Sequence, residues 1–414
     1  MQRTISTEDL ARDLELRDLT DPGAGRHGLQ VIVDNVTAAL CATWGSDLRV
    51  HRGERVVTME ENYDVLGFSP DVVTRDARYT RYVNERHMLR SHSSAIIPGG
   101  LVRLAAEAGD RAPSDVLLAC PGICYRRDSI DWQHTGTPHQ LDLWRIARRP
   151  LGDADLDEMI ATICGVLVPG RPYRCEPRVH PYTVNGRQVD VEWDGVWVEI
   201  AECGLADPQL LERCGLDHRW SALALGMGLD RLLMLVKGIP DIRLLRSSDP
   251  RVREQMLTID PYRPVSAMPA VRRDLSVAVD ESDREEDLGD RVRESLGSDA
   301  DVVEEVAVIS TTAALDLPAG ACRRLGIGAG QVNLLVRVTL RALDRTLSAD
   351  EANDLRDRVY AAVHRGSAHI WAKPESRLAL IADSPACEES GSAVAASSGN
   401  VEYSDARRRD GIGA

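Results

Sequence analysis

The chain has 414 residues, 65 of them acidic against 50 Lys and Arg, for a net charge of −15. That length calls for two to three domains, and the acidic balance excludes a wholesale basic nucleic-acid binder while leaving room for a locally basic groove. With 43% hydrophobic and 28% charged residues, the composition is that of an ordinary globular protein, and no stretch nears the 18 apolar residues of a membrane span.

Residues 1–25, polar and acidic, read as an extension that is neither a signal nor a transit peptide. An apolar-periodic run over Gly28–Trp44 predicts a helix. Val116–Cys124 predicts a buried strand leading into Arg126-Arg127. Val179–Val184 and Gln188–Trp193 alternate on either side of Asn185-Gly186, which predicts a hairpin with a type I′ turn. Val196–Ala201 extends that sheet, and residues 221–237 read as a strand or turn feeding an apolar helix. Antiparallel strands interspersed with helices predict an α+β fold rather than a regular βαβ alternation. Pro261 and Pro264 mark a linker, 256–266, between a first domain, 26–255, and a second module, 267–383. That module reads strand (Leu275–Val279), helix (Asp283–Leu296), strand (Val302–Ile309), strand (Val332–Leu340), helix (Ala349–Val363) and a last strand near Leu378–Ala382. This βαββαβ order is the ferredoxin-like plan. Capping boxes are expected at Ser282/Glu285 and Ser348/Glu351. Residues 384–414, rich in Ser, Gly, Ala and Glu, predict a disordered tail. The nine cysteines include no CxxC pair, which favours a reducing cytoplasm over a disulfide framework or a zinc site.

Two stretches carry chemistry. Tyr125-Arg126-Arg127-Asp128 is followed by His134 and by His139-Gln140-Leu141-Asp142. An arginine at the end of a buried strand offers a fixed bidentate cation to an anion, although an arginine pair alone is more often plain surface. Gly226-Met227-Gly228-Leu229-Asp230-Arg231 precedes Gly238-Ile239-Pro240-Asp241-Ile242-Arg243. Glycine lets backbone approach a ligand, but glycines at a helix start more often serve packing.

In order, these segments resemble the class II aminoacyl-tRNA synthetases, specifically the catalytic α subunit of phenylalanyl-tRNA synthetase. The resemblance rests on YRRD (125–128), PHQLD (138–142), WVEIAECG (197–204), GMGLDR (226–231) with GIPDIR (238–243), and HMLRSHSSA (87–95). PAVRRDLSV (269–277) and the Arg-Thr-Leu-Ser at 345–348 resemble the ferredoxin-fold anticodon-binding domain. Joining both in one chain is similar to the single-chain mitochondrial type, which requires no separate β subunit. The resemblance implies a class II antiparallel sheet flanked by helices, and activation of phenylalanine or a related, more polar aromatic amino acid with ATP and Mg²⁺ for transfer to tRNA. It implies that Arg126 clamps the ATP α-phosphate and Arg231 the γ-phosphate, and that His134 contacts phosphate. Asp128 then lies near adenine, Gly226 and Gly228 border the nucleotide, and Glu199 helps hold the metal. His92, Ser94, Gln140 and Asp142 surround the substrate ammonium.

The departures from the family gather at the amino acid. Two phenylalanines that clamp the substrate ring are replaced by His180 and Tyr182, expected on one strand face, while the small residue at the ring's base is kept as Ala224. The acid after HQL is shortened to Asp142, Pro138 stands before His139, and Glu202 replaces a glycine. From residue 262 to 371 the module holds 19 acidic residues against 14 Arg, the wrong sign for phosphate binding unless a local arginine face exists. Two other readings stay open: a ligase that passes its adenylated amino acid to a non-tRNA acceptor, and a non-catalytic tRNA-binding relative.

Overall fold

The computed structural model describes residues 4–71, 75, 79–107, 113–265 and 268–368. Helices α1 (Thr7–Glu15) and α2 (Gly28–Trp44) lead into strands β1 (Asp47–Val50), β2 (Val56–Thr58) and β3 (His87–Leu89), then helix α3 (Ile97–Ala106). Strands β4 (Asp115–Ile123) and β5 (His139–Ala147), helix α4 (Asp153–Leu167), and strands β6 (Tyr173–Pro177), β7 (Thr183–Trp193) and β8 (Val196–Ala206) follow. Next come helix α5 (Pro208–Arg213), strand β9 (Ser221–Gly228), and helices α6 (Leu229–Lys237) and α7 (Pro250–Gln255). The remaining elements are β10 (Val271–Asp280), α8 (Glu285–Leu296), β11 (Val303–Ala313), α9 (Ala319–Leu325), β12 (Gln331–Leu340) and α10 (Ala349–Val363).

Helix α2 covers the span its periodicity predicts. The His27 imidazole caps it by accepting from the Leu29 amide at 3.2 Å, and Gly45 ends it in the left-handed region at φ 68°. Its apolar stripe packs with α4 and α6 on one face of a seven-stranded sheet ordered β1-β4-β5-β9-β8-β7-β6. The sheet is antiparallel apart from the β1–β4 pair. The period-2 alternation of a strand then sorts β5 between two cores. Leu141 and Leu143 enter the helix-covered core, while Trp144 and Ile146 enter a second core with Leu101 and Ala224 on the opposite face.

The expected Asn185-Gly186 hairpin is not where the chain turns. Both residues lie inside β7 as a bulge: Val184 pairs with Leu205 and Arg187 with Cys203, leaving only Gly204 opposite the two. The hairpin turn is Asp194-Gly195, at φ 52° and 86°, between β7 and β8. His180 and Tyr182 therefore sit on the loop joining β6 to β7 rather than on a strand face.

The second sheet is antiparallel in the order β10-β12-β11, with α8 and α10 packed against each other beside it. Strand, helix and strand follow the predicted order, with the added short helix α9; the expected last strand at 378–382 and the tail from 384 lie outside the described residues. The Ser348/Glu351 box is formed, at 2.9 and 3.2 Å. The Ser282/Glu285 box is not: α8 starts two residues later than expected, and Asp287 instead accepts from the Arg284 amide at 3.0 Å. The segment read as a linker is pinned to the first sheet's helices. The Tyr262 amide donates to Lys237 O at 2.7 Å, the Arg263 amide to Gln255 Oε1 at 2.8 Å, and Lys237 Nζ to Thr258 O at 3.0 Å.

Candidate active site

The second face of the large sheet carries one continuous polar row. Cys120 on β4 is opposite Asp142, Asp142 is opposite Gly226 on β9, Gly226 is opposite Glu202 on β8, and Glu202 is opposite Gln188 on β7. Directly opposed residues share a face, so strand register alone brings these side chains together. Gln140 and Gly228 form the neighbouring pair on the same face, and Trp144 and Ala224 the pair beyond.

Asp142 is buried. It accepts from Ser93 Oγ, from Ser94 Oγ at 3.0 Å and from Trp144 Nε1 at 3.4 Å. Burial pushes its carboxyl up to about 6 while these three donors pull it down. Among the described residues no cation lies within ion-pair distance of it. Gln140 accepts from the Ser93 amide at 3.1 Å. His92 is half-buried, and desolvation of its ring, followed by the charge of Arg126, pushes it down to about 4, so the ring is neutral at pH 7.

A regular strand would turn Glu199 and Glu202, three apart, to opposite faces. β8 avoids this with an irregularity at Ile200. Ala201 pairs with Val189 and Glu199 with Asp190, which returns Glu199 to the polar face. Burial, then the nearby Glu202, raises the Glu199 carboxyl. Glu199 makes no hydrogen bond or ion pair among the described residues. No three metal-ligating side chains converge among them either, so a divalent cation held here would need oxygens from a bound phosphate. One carboxylate plus phosphate oxygens suits Mg²⁺, and Glu199 fits that role.

Arg126 and Arg231 flank the row. Arg126 follows β4, and its Nε is buried without a hydrogen-bond partner. Its charge adds to the burial that depresses His92, and with Arg90 it partly offsets the burial that pushes the Cys124 thiol up to about 12. Arg231 sits in the first turn of α6, and its charge acts on His134 and Glu199. Neither guanidinium has an ion-pair partner among the described residues. Asp230 beside it does structural work, accepting from the His139 amide and lying 2.9 Å from His139 Nδ1. The glycines between are not there for packing: a Cβ on Gly226 would meet nothing closer than Asp142 at 3.7 Å, and one on Gly228 nothing within 4 Å. They leave the face open.

The loop after Arg126 is held from the second sheet's side. Arg127 pairs with Asp290 of α8 at 2.8 Å, both buried. Arg293 donates to the Asp128 and Ser129 carbonyls, and the Val306 amide to Ile130 O at 3.0 Å. His134 lies 2.6 Å from Asp131, whose hydrogen bond raises its basicity. It also lines a cavity of about 780 Å³ between α1, the 242–246 turn and the second sheet's elements. None of the other predicted residues lines that cavity, which is distinct from the polar row.

On the amino-acid side Tyr182 stacks on Trp144 at 6.1 Å and lies 6.2 Å from Phe68, with its hydroxyl 3.5 Å from Ser94 Oγ. His180 lies between Thr183 Oγ1, at 3.0 Å, and Glu202 Oε2, at 3.1 Å. The imidazole, then Arg178, holds Glu202 below its ordinary range. The sequence motifs point to Ser94 but not Ser93, and to Asp142 but not Trp144 or Phe68. Ser93 was visible as the neighbouring hydroxyl, and Trp144 as the same-face residue two places on. Phe68 carried no signal.

Residues 12–256 match the family described as tRNA synthetases class II core domain (F). The chain belongs to that class. It is similar to the phenylalanine--tRNA ligase alpha subunit of Prochlorococcus marinus (strain MIT 9313), 33% identical over 250 residues, which cover 58% of this chain and 70% of the relative. It is likewise 31% identical over 249 residues to that of Nostoc punctiforme (strain ATCC 29133 / PCC 73102), covering 59% and 72%. The fold is thus the α+β class II core.

Proposed function

We propose that the protein activates an amino acid with ATP as an aminoacyl-adenylate and passes it to tRNA, as a ligase of the phenylalanine type. The observation that carries this is a pair of opposite charges that lack a counter-ion among the described residues: Arg126, with a buried unbonded Nε, and Asp142, a buried carboxylate met only by the neutral donors of Ser93, Ser94 and Trp144. An uncompensated buried charge is costly, and a ligand carrying both an ammonium and an anion would relieve both. In this reading Asp142, Ser94, Gln140 and neutral His92 receive the α-ammonium and orient the carboxylate. A carboxylate oxygen attacks the α-phosphorus, the bond to the bridging oxygen breaks, and pyrophosphate leaves. Arg126 stabilises charge building at the α-phosphate, and Arg231 with His134 holds the outer phosphates. Gly226 and Gly228 leave backbone open to the nucleotide, and Asp128 borders adenine. Mg²⁺, when bound beside Glu199, neutralises phosphate charge.

The same proposal keeps the division into a core, 26–255, and a module, 267–383, that contacts tRNA without a separate β subunit, in a cytoplasmic enzyme. No helix among the described residues is long and apolar enough to cross a membrane. Amino-acid-dependent exchange of pyrophosphate into ATP is the test; no exchange with any amino acid overturns the reading. One observation favours a different acceptor: the module's 19 acidic residues against 14 Arg between 262 and 371. Charging of total tRNA decides between the two, since an enzyme that exchanges but never charges tRNA uses another acceptor.

A further inference from the structure

The space available to the substrate's side chain is far smaller than a phenylalanine ring. The cavity on the polar row, bordered by Asp142, Ala224, Gly226, Tyr182, His180 and Glu202, has a volume of about 10 Å³. That admits roughly one water, whereas a cavity that takes up benzene is on the order of 150 Å³. Tyr182 fills the difference. Its ring is wedged against Trp144 and Phe68, and its carbonyl accepts from the Asp207 amide at 2.9 Å, so its position is fixed from several sides. A substrate ring cannot slip between the two aromatic side chains either. The His180 and Tyr182 rings are stacked with centroids 6.0 Å apart. A third ring between them would need two contacts of roughly 3.5 Å or more.

The far end of this cavity is polar. The His180 side chain is 8% exposed, and its Nε2 approaches Glu202 off the hydrogen-bond line, so it is buried without an aligned partner. Glu202 is already engaged by Arg178 Nε at 2.9 Å on one oxygen, leaving the other directed to His180. The Glu202 carboxylate oxygen bordering a space this size favours a short side chain that ends in a donor, which an apolar one cannot supply. We propose that the amino acid activated here has a side chain much smaller than a benzyl group, ending in a hydroxyl or amine, and that Tyr182 sets the size limit. This rests on the amino-acid-activation reading above and narrows its substrate.

The experiment is pyrophosphate exchange by the full chain with each of the twenty standard amino acids and 2,3-diaminopropionate. Serine, threonine or 2,3-diaminopropionate should exceed alanine at least about tenfold, and phenylalanine and tyrosine at least about a hundredfold, in kcat/KM. Phenylalanine or tyrosine as the best substrate overturns the size limit while leaving activation intact. Alanine equal to serine and threonine overturns the donor requirement. No exchange with any of them overturns activation itself. Tyr182→Ala should raise phenylalanine exchange at least about tenfold; an unchanged value overturns the role given to Tyr182. Should that variant fail to fold, Tyr182→Val, which also removes the ring, carries the same test.

Discussion

Arg126 and Arg231 are informative residues to remove because neither guanidinium has an ion-pair partner among the described residues. Arg126→Ala and Arg231→Ala should each lower pyrophosphate exchange by more than about a hundredfold, the scale of a lost transition-state donor at ~3 kcal/mol. Their melting temperatures should stay close to the parent's, since no ion pair is broken; activity within a few-fold of the parent would refute the assignment. Asp142 gives a pH dependence. Its folded carboxyl, at about 6, lies above the ordinary value of 3.8, so the native chain holds that proton more tightly than the unfolded one. This group's contribution to stability therefore declines as pH rises from about 4 through about 6. Receiving an ammonium needs the ionised form, so KM for the amino acid should climb as pH falls below about 6, by up to roughly tenfold per unit. Steady-state kinetics at saturating ATP measure this, and a KM flat between pH 5 and 7 would contradict it. In the sequence, these residues were legible because charge and chemistry are properties of single positions. That Arg127 beside them is buried against Asp290 was not, because its partner is far along the chain.

At the scale of elements, α2, β4, β12 and α10 could be read to within a residue or so, since periodicity and caps are local. The β7–β8 pair was not, and the reason is specific. Asn-Gly is equally fitted to a type I′ turn and to a bulge, and only the pairing of Val184 with Leu205 decides between them. The irregularity at Ile200 had no sequence mark, yet it puts Glu199 on the site face. The β7 bulge is also a point of close approach: a Cβ on Gly186 would lie 2.3 Å from the Arg178 carbonyl oxygen. Gly186→Ala should push away the loop carrying His180 and Tyr182, costing about 1–3 kcal/mol of stability. Amino-acid KM should change more than ATP KM. Calorimetry and kinetics test this, and a variant matching the parent in both would show that the loop tolerates the displacement.

In the whole molecule, the two sheets meet through the loop that follows Arg126. Arg293 reaches across from α8 to two backbone carbonyls that have no other donor among the described residues. Arg293→Ala should therefore cost about 1–3 kcal/mol per carbonyl left unsatisfied and raise ATP KM, through a loop held less firmly. An unchanged melting temperature and KM would mean that water replaces the guanidinium without loss.

The polar row has a consequence for how the protein acquires its activity. Its members, Cys120, Asp142, Gln188, Glu202 and Gly226, come from five strands spread over a hundred residues of chain. Contacts so distant along the chain close late and slowly during folding, and a single misregistered strand would turn its member to the opposite face. No fragment lacking β9 can hold the site, and no early intermediate should catalyse anything. On dilution from denaturant, pyrophosphate exchange should return only with the slowest folding phase, after most helical signal has recovered. The enzyme would thus report on its own strand register.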